Sequence, residues 1–109
     1  MTHPSSNLND IVHQRNRLGI LAVLVEADEV EFVFVKDVLA LTAGNLSRHL
    51  SVLAEAELVH IRKEAGKKKT WVSVTKAGRR AFRAEIDALR KIVEANPVEK
   101  TPPPPGGRS

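Results

Sequence analysis

The sequence predicts one small α+β domain, mainly helical, with a single β-hairpin set late in the chain. Three observations carry that reading. Leu46, Leu50 and Leu53 recur at the spacing that lines one face of a helix. From Leu58 the period changes, with Val59 and Ile61 alternating with His60 and Arg62, and a second alternation follows over Thr70–Thr75. Phe82, Ile86, Leu89 and Val93 then restore a helical stripe. With 109 residues, 42% hydrophobic and 28% charged, the chain has the size and balance of one globular domain. So small a core gains from burying further surface in a homo-oligomer.

Residues 1–7 are expected to be a flexible N-terminus, residues 8–95 the folded domain, and residues 96–109 a disordered tail. The tail holds the run Pro102-Pro103-Pro104-Pro105, which favours an extended helix without hydrogen bonds, followed by Gly106-Gly107. Asn7 or Asn9 is the expected cap of a first helix carrying Leu8, Ile11, Val12, Leu18, Leu21, Ala22 and Val25. Its second half adds Ile20, Val23 and Leu24 and is apolar on nearly every side, which points to contact with a partner chain. Val30–Phe34 is β-branched and aromatic and reads as a short strand leading into a helix over Lys36–Leu41. Thr42 suits the N-cap of the next helix. Ala65-Gly66-Lys67-Lys68-Lys69 reads as the turn of the hairpin, and Thr75 as the cap of the last helix.

Charge is unevenly spread. Residues 42–80 carry nine Lys/Arg against three acids, whereas residues 1–41 carry three against six. A polyanion fits such a basic segment, because each neutralised phosphate releases condensed counterions. No run approaches the roughly 18 apolar residues of a membrane span, and the opening residues lack a basic stretch leading into an apolar one, so neither span nor secretion signal is expected. Cysteine is absent, which removes disulfides and thiolate sites and fits a reducing cytoplasm. Neither a nucleophile elbow, a P-loop nor a dinucleotide fingerprint occurs, and an enzyme is not expected.

The order helix, short strand, helix, helix, hairpin, helix is that of a winged helix-turn-helix. In such a unit the second helix of the pair presents polar groups to base edges while its back is held in the core. The leucine stripe supplies the anchor. Wheel geometry leaves Asn45, Ser47, Arg48 and Ser51 outward, with Thr42, Ala43 and Gly44 at the leading end, where small residues and the helix N-terminus favour approach to a phosphate. Arg48 suits a guanine edge or a phosphate, and Asn45 an adenine. Arg62, Lys67, Lys68, Lys69 and Thr70 are the expected contacts of the hairpin, across the backbone or into a minor groove.

Arg17-Leu18-Gly19-Ile20-Leu21, Leu41-Thr42-Ala43-Gly44-Asn45-Leu46-Ser47-Arg48-His49-Leu50, Leu53-Ala54-Glu55-Ala56-Glu57-Leu58-Val59 and Trp71-Val72-Ser73-Val74-Thr75-Lys76-Ala77-Gly78-Arg79 resemble MarR/ArsR-type winged-helix regulators over about residues 10–93. The likeness is closest to the small MarR-like group. It implies a transcription factor that binds double-stranded DNA, usually as a homodimer on a pseudo-palindromic site, with a repressor favoured by the chain's small size. Dimers of this family commonly use the first and last helices. The expected dimer residues are therefore Leu8, Ile11, Val12, Arg15, Ile20, Val23, Leu24, Ile86, Leu89 and Val93, and the expected location is the cytoplasm, on the nucleoid. One departure stands out. Relatives usually carry Gly where this chain has Glu57, because the recognition helix ends there in a left-handed conformation.

The remaining features have plainer readings. His3, His13, His49 and His60 lack a metal-ligand spacing, so neither metal nor cofactor is expected, and a small-molecule effector is compatible with the sequence but marked by nothing in it. His13 reads as structural, His49 as packing at the edge of the recognition helix, and His60 as surface or a phosphate contact. Asp28, Glu29 and Glu31 read as a solvated acidic loop that keeps DNA away, and Trp71 as core beneath the wing. A winged helix used only for protein docking, with the proline tail as its hook, is the rival from another class.

Overall fold

The computed structural model describes residues 10–95. Four helices and a three-stranded antiparallel sheet follow in the order α1 (Arg15–Leu24), β1 (Val30–Glu31), α2 (Phe32–Val38), α3 (Ala43–Glu55), β2 (Val59–Glu64), β3 (Lys69–Val74) and α4 (Lys76–Glu94). Strand order in the sheet is β1-β3-β2, so the expected short strand joins the hairpin as its third member. Ile20, Leu21, Leu24, Val35, Leu46, Leu50, Leu53, Leu58 and Val72 form the centre of the core.

The expected first helix is interrupted. Residues 10–13 form a separate helical turn, and Gln14 adopts an extended ψ of 131° to cap α1, its side chain accepting from the Arg17 backbone N–H at 3.0 Å. The Arg17 Nε also donates to the Ile11 carbonyl at 2.7 Å, taking an acceptor that an unbroken helix would offer to its own backbone. Leu8 and the expected caps Asn7 and Asn9, like the proline tail, lie outside the described residues. Val12, Ile20 and Leu24 correct the dimer reading. Each is at most 2% exposed within the protomer, so the excess of apolar residues serves its own core and none of the three is available to a partner.

The 30–41 segment also differs from expectation. Only Val30 and Glu31 are strand, pairing with Val72 and Trp71, and Phe32–Phe34 begins α2. Helical spacing lets Phe32, Val35 and Leu39 meet the core together, and that packing outweighs the β preference of Val and Phe. The helix ends at Val38 rather than Leu41, because Ala40 turns left-handed (φ 56°) and the Leu41 N–H reaches back to the Lys36 carbonyl at 3.0 Å.

The recognition-helix candidate follows the sequence closely. Thr42 Oγ1 accepts from the Asn45 N–H at 3.1 Å, and Leu46, Leu50 and Leu53 are at most 2% exposed. At its far end Glu57 keeps the left-handed conformation (φ 63°) that relatives give to glycine, and the Leu58 N–H bonds the Leu53 carbonyl at 2.9 Å. A non-glycine residue there costs about 1–2 kcal/mol. Thr75 stitches this junction to α4: its hydroxyl donates to the Glu57 carbonyl at 2.8 Å and accepts from the Gly78 N–H at 2.9 Å. Gly78 is required by space. A Cβ there would stand 2.1 Å from the Leu58 carbonyl oxygen, so only glycine lets α4 begin against the α3–β2 junction.

Candidate nucleic-acid interface

The polar side of α3 is what the leucine stripe leaves outside. Thr42, Ala43, Gly44, Asn45, Ser47, Arg48 and Ser51 are all exposed. A Cβ on Gly44 would meet nothing within 4 Å, so the space in front of that first turn is open to an approaching ligand. Ser47 and Ser51 share a groove of about 280 Å³ with Lys63 and Thr70 of the sheet, floored by Phe32, Leu50 and Ile61. The helix face and one face of the hairpin therefore line the same concave surface.

Strand register decides which hairpin residues take part. Lys63 pairs with Thr70, Ile61 with Val72 and Val59 with Val74, and these side chains share the face that meets the core and the groove. His60, Arg62 and Glu64 pair with Ser73, Trp71 and Lys69 and occupy the opposite face. Arg62, an expected contact, therefore lies on the face away from the groove. Its Nε and Nη2 donate to the two carboxylate oxygens of Glu29 at 2.9 and 2.8 Å, and its guanidinium lies 5.8 Å from the Trp71 ring centre. The hydrogen bond from Arg62 holds the Glu29 carboxyl below its ordinary range, outweighing partial desolvation. Glu29 is thus an ion-pair partner rather than part of a solvated acidic loop. Trp71 is not core beneath the wing either. It lies on the outer face and donates from Nε1 to Glu64 at 2.9 Å.

Lys63 is the groove residue that sequence reasoning missed. Strand parity contained the signal, since Lys63 is two residues from Ile61 on the apolar face, while Arg62 sits between them. Of the lysine triplet, Lys67 lies 3.5 Å from Glu64, Lys68 occupies the turn with a left-handed φ of 52°, and Lys69 begins β3 on the outer face rather than ending the turn. All three are exposed.

Behind the exposed face, His49 packs at the edge of α3 as expected, part-buried against α1. Arg17 Nη1 donates to His49 Nδ1 at 3.3 Å, and the Asn16 amide lies 3.4 Å from Nε2. Burial, then the positive charges of Arg17 and Arg48, push the His49 pKa below its ordinary value of 6.5. His13 meets Glu85 of α4, and that hydrogen bond raises its pKa. Among the described residues no group of three or more His, Asp or Glu side chains is placed to hold a metal ion.

On α4, Ile86 and Leu89 are half-buried and Val93 is 54% exposed; Ile11 and Val23 are half-buried and Arg15 is exposed. No described helix is long and apolar enough to cross a membrane.

A family model described as a winged helix DNA-binding domain matches residues 16–93, from the first turn of α1 through α4. The chain belongs to that family. It is 40% identical over 83 residues to an uncharacterized protein of Methanocaldococcus jannaschii, covering 72% of this chain and 90% of the relative. A transcriptional regulator homologue protein of Pyrococcus horikoshii superposes with a TM-score of 0.75 at 30% identity, over 79% of this chain and 87% of that one. The transcriptional repressor BigR of Xylella fastidiosa gives 0.66 at 26% identity, over 81% and 84%. This chain is accordingly a winged-helix DNA-binding regulator, a class that is not enzymatic.

Proposed function

We propose that this winged-helix protein is a sequence-specific repressor that reads double-stranded DNA as a homodimer, with α3 in the major groove and the basic hairpin on the adjacent backbone. The observation that carries the proposal is the shared groove: Ser47 and Ser51 of α3 and Lys63 and Thr70 of the hairpin line one surface, with Arg48 and Asn45 exposed on the same helix. Arg48 and Asn45 have the donors that guanine and adenine edges accept. Ser47, Ser51, Lys63, Thr70, Lys67 and Lys68 serve phosphates, as do the backbone N–H groups of Ala43 and Gly44 at the helix start beside Thr42. Lys69, the third member of the triplet, adds charge at the outer edge of the hairpin.

The apolar side of α4, with Ile86, Leu89 and Val93, supports a two-fold contact, to which Ile11, Arg15 and Val23 contribute from the N-terminal side. A symmetric dimer requires half-sites about one helical turn apart. Repression is favoured by similarity to the transcriptional repressor BigR, and DNA binding locates the protein on the nucleoid. An effector reading rests on an open groove of about 400 Å³ between the end of α1 and α4, lined by Val25, Phe82 and Ile86 with Arg79, Arg83, Asp87 and Arg90.

Selection of bound duplexes from a random pool, followed by mobility-shift titration at several salt concentrations, tests the reading. A selected site should bind at least about a thousandfold more tightly than random duplex. Uniform binding to all sequences contradicts it. Replacing Leu89 by Glu should shift sedimentation equilibrium toward monomer, and an unchanged mass contradicts the dimer face.

A further inference from the structure

We propose that Arg17 is a positioning residue for DNA reading, which acts through His49 to fix the recognition helix against the N-terminal turn. The inference rests on the reading of α3 as the DNA-contacting helix. Arg17 joins three elements from one guanidinium and one backbone N–H. Nε donates to the Ile11 carbonyl at 2.7 Å, the backbone N–H donates to Gln14 Oε1 at 3.0 Å, and Nη1 donates to His49 Nδ1 at 3.3 Å. The first two bonds hold the break between residues 10–13 and α1, and the third crosses to α3.

His49 is adjacent to Arg48, the side chain with the best fit to a base edge. Leucine packing holds α3 against the core through burial, which is non-directional. The hydrogen bond at His49 adds a directional constraint on the helix that carries Arg48 and Asn45. A guanidinium only donates, so the Arg17 bond requires Nδ1 as the acceptor, which a neutral His49 ring supplies. The charged groups facing His49 are Arg17 from α1 and Arg48 from its own helix, both positive. Protonating His49 therefore replaces an acceptor by a donor, against two like charges, and opens the link.

The test is the ratio of affinities for a pool-selected duplex and a random duplex, measured with the full chain between about pH 7.5 and pH 5. Arg17→Lys keeps the charge but loses the planar fork that reaches two acceptors. The ratio should fall about tenfold, the loss typical of one misplaced base contact, while affinity for random DNA and its salt dependence stay unchanged. In the wild type the ratio should also fall at the acid end of the range. His49→Gln, whose carbonyl accepts from Arg17 without titrating, should hold the ratio across the range, whereas His49→Ala should lose it throughout. An unchanged ratio in Arg17→Lys overturns the proposal. So do matching pH profiles for wild type and His49→Gln, a measurement that stands even where Arg17→Lys does not fold. A wild type without selectivity at any pH instead overturns the underlying reading of α3.

Discussion

The two faces of the β2–β3 hairpin are built from alternate residues of the same two strands, yet they do opposite things with their charges. On the outer face Arg62 is answered by Glu29 and Trp71 by Glu64, and at the turn Lys67 lies 3.5 Å from Glu64, while Lys69 adds exposed charge. On the inner face Lys63 and Thr70 extend the line of Ile61 and Val72 past the core into the groove beside Ser47 and Ser51. Arg62 and Trp71 are thus engaged within the protein, whereas Lys63 and Thr70 line the groove. A residue's place in a binding surface is thus set by parity along the strand as much as by its charge.

The largest expected effect falls on the base of the hairpin, on which both faces depend. Gly78→Ala drives a methyl group into the Leu58 carbonyl and should destabilise the fold by about 3 kcal/mol, read by chemical denaturation. Arg48→Ala should weaken binding to a selected site by about 1–3 kcal/mol and relax base preference. Equal losses on selected and random DNA would show that it contacts phosphate instead. The sharpest contrast is between neighbours: Lys63→Ala should reduce the salt dependence of DNA binding by about one phosphate contact, whereas Arg62→Ala should leave it unchanged. Reversal of that pattern would assign DNA binding to the outer face.

Smaller effects follow at the edges of the comparison. Glu57→Gly should stabilise the chain by up to about 1 kcal/mol, because relief of left-handed strain is partly offset by a more flexible unfolded chain. Thermal denaturation reads it. The Glu29–Arg62 pair gives a small pH effect of definite sign. A carboxyl held below its ordinary value of 4.5 contributes stability above that value, and the contribution is lost as pH falls through the folded pKa. Glu29→Gln should therefore flatten the acid limb of a stability profile.

How much the sequence discloses varies with the kind of signal. Thr42, the leucine stripe and Thr75 were legible because a cap and a helical period are local properties, and each side chain does what its spacing suggests. The left-handed end at Glu57 was legible through the family resemblance, although the residue itself disguises it. The break at Gln14 was not, because it depends on Arg17 reaching back to Ile11. Helix α2 was read partly as strand because its Val and Phe residues favour strands until the core claims one side of them. The Arg62–Glu29 pair was not legible, since nothing local to either residue joins them.

Amide chemical-shift mapping of the labelled protein, titrated with a pool-selected duplex, tests the shared surface most directly. The account predicts perturbations concentrated in Ala43–Ser51, Lys63, the hairpin turn and Thr70, leaving Arg62 and Trp71 nearly unmoved. Perturbations centred on the outer hairpin face or on α4, with the first turns of α3 unaffected, would contradict it.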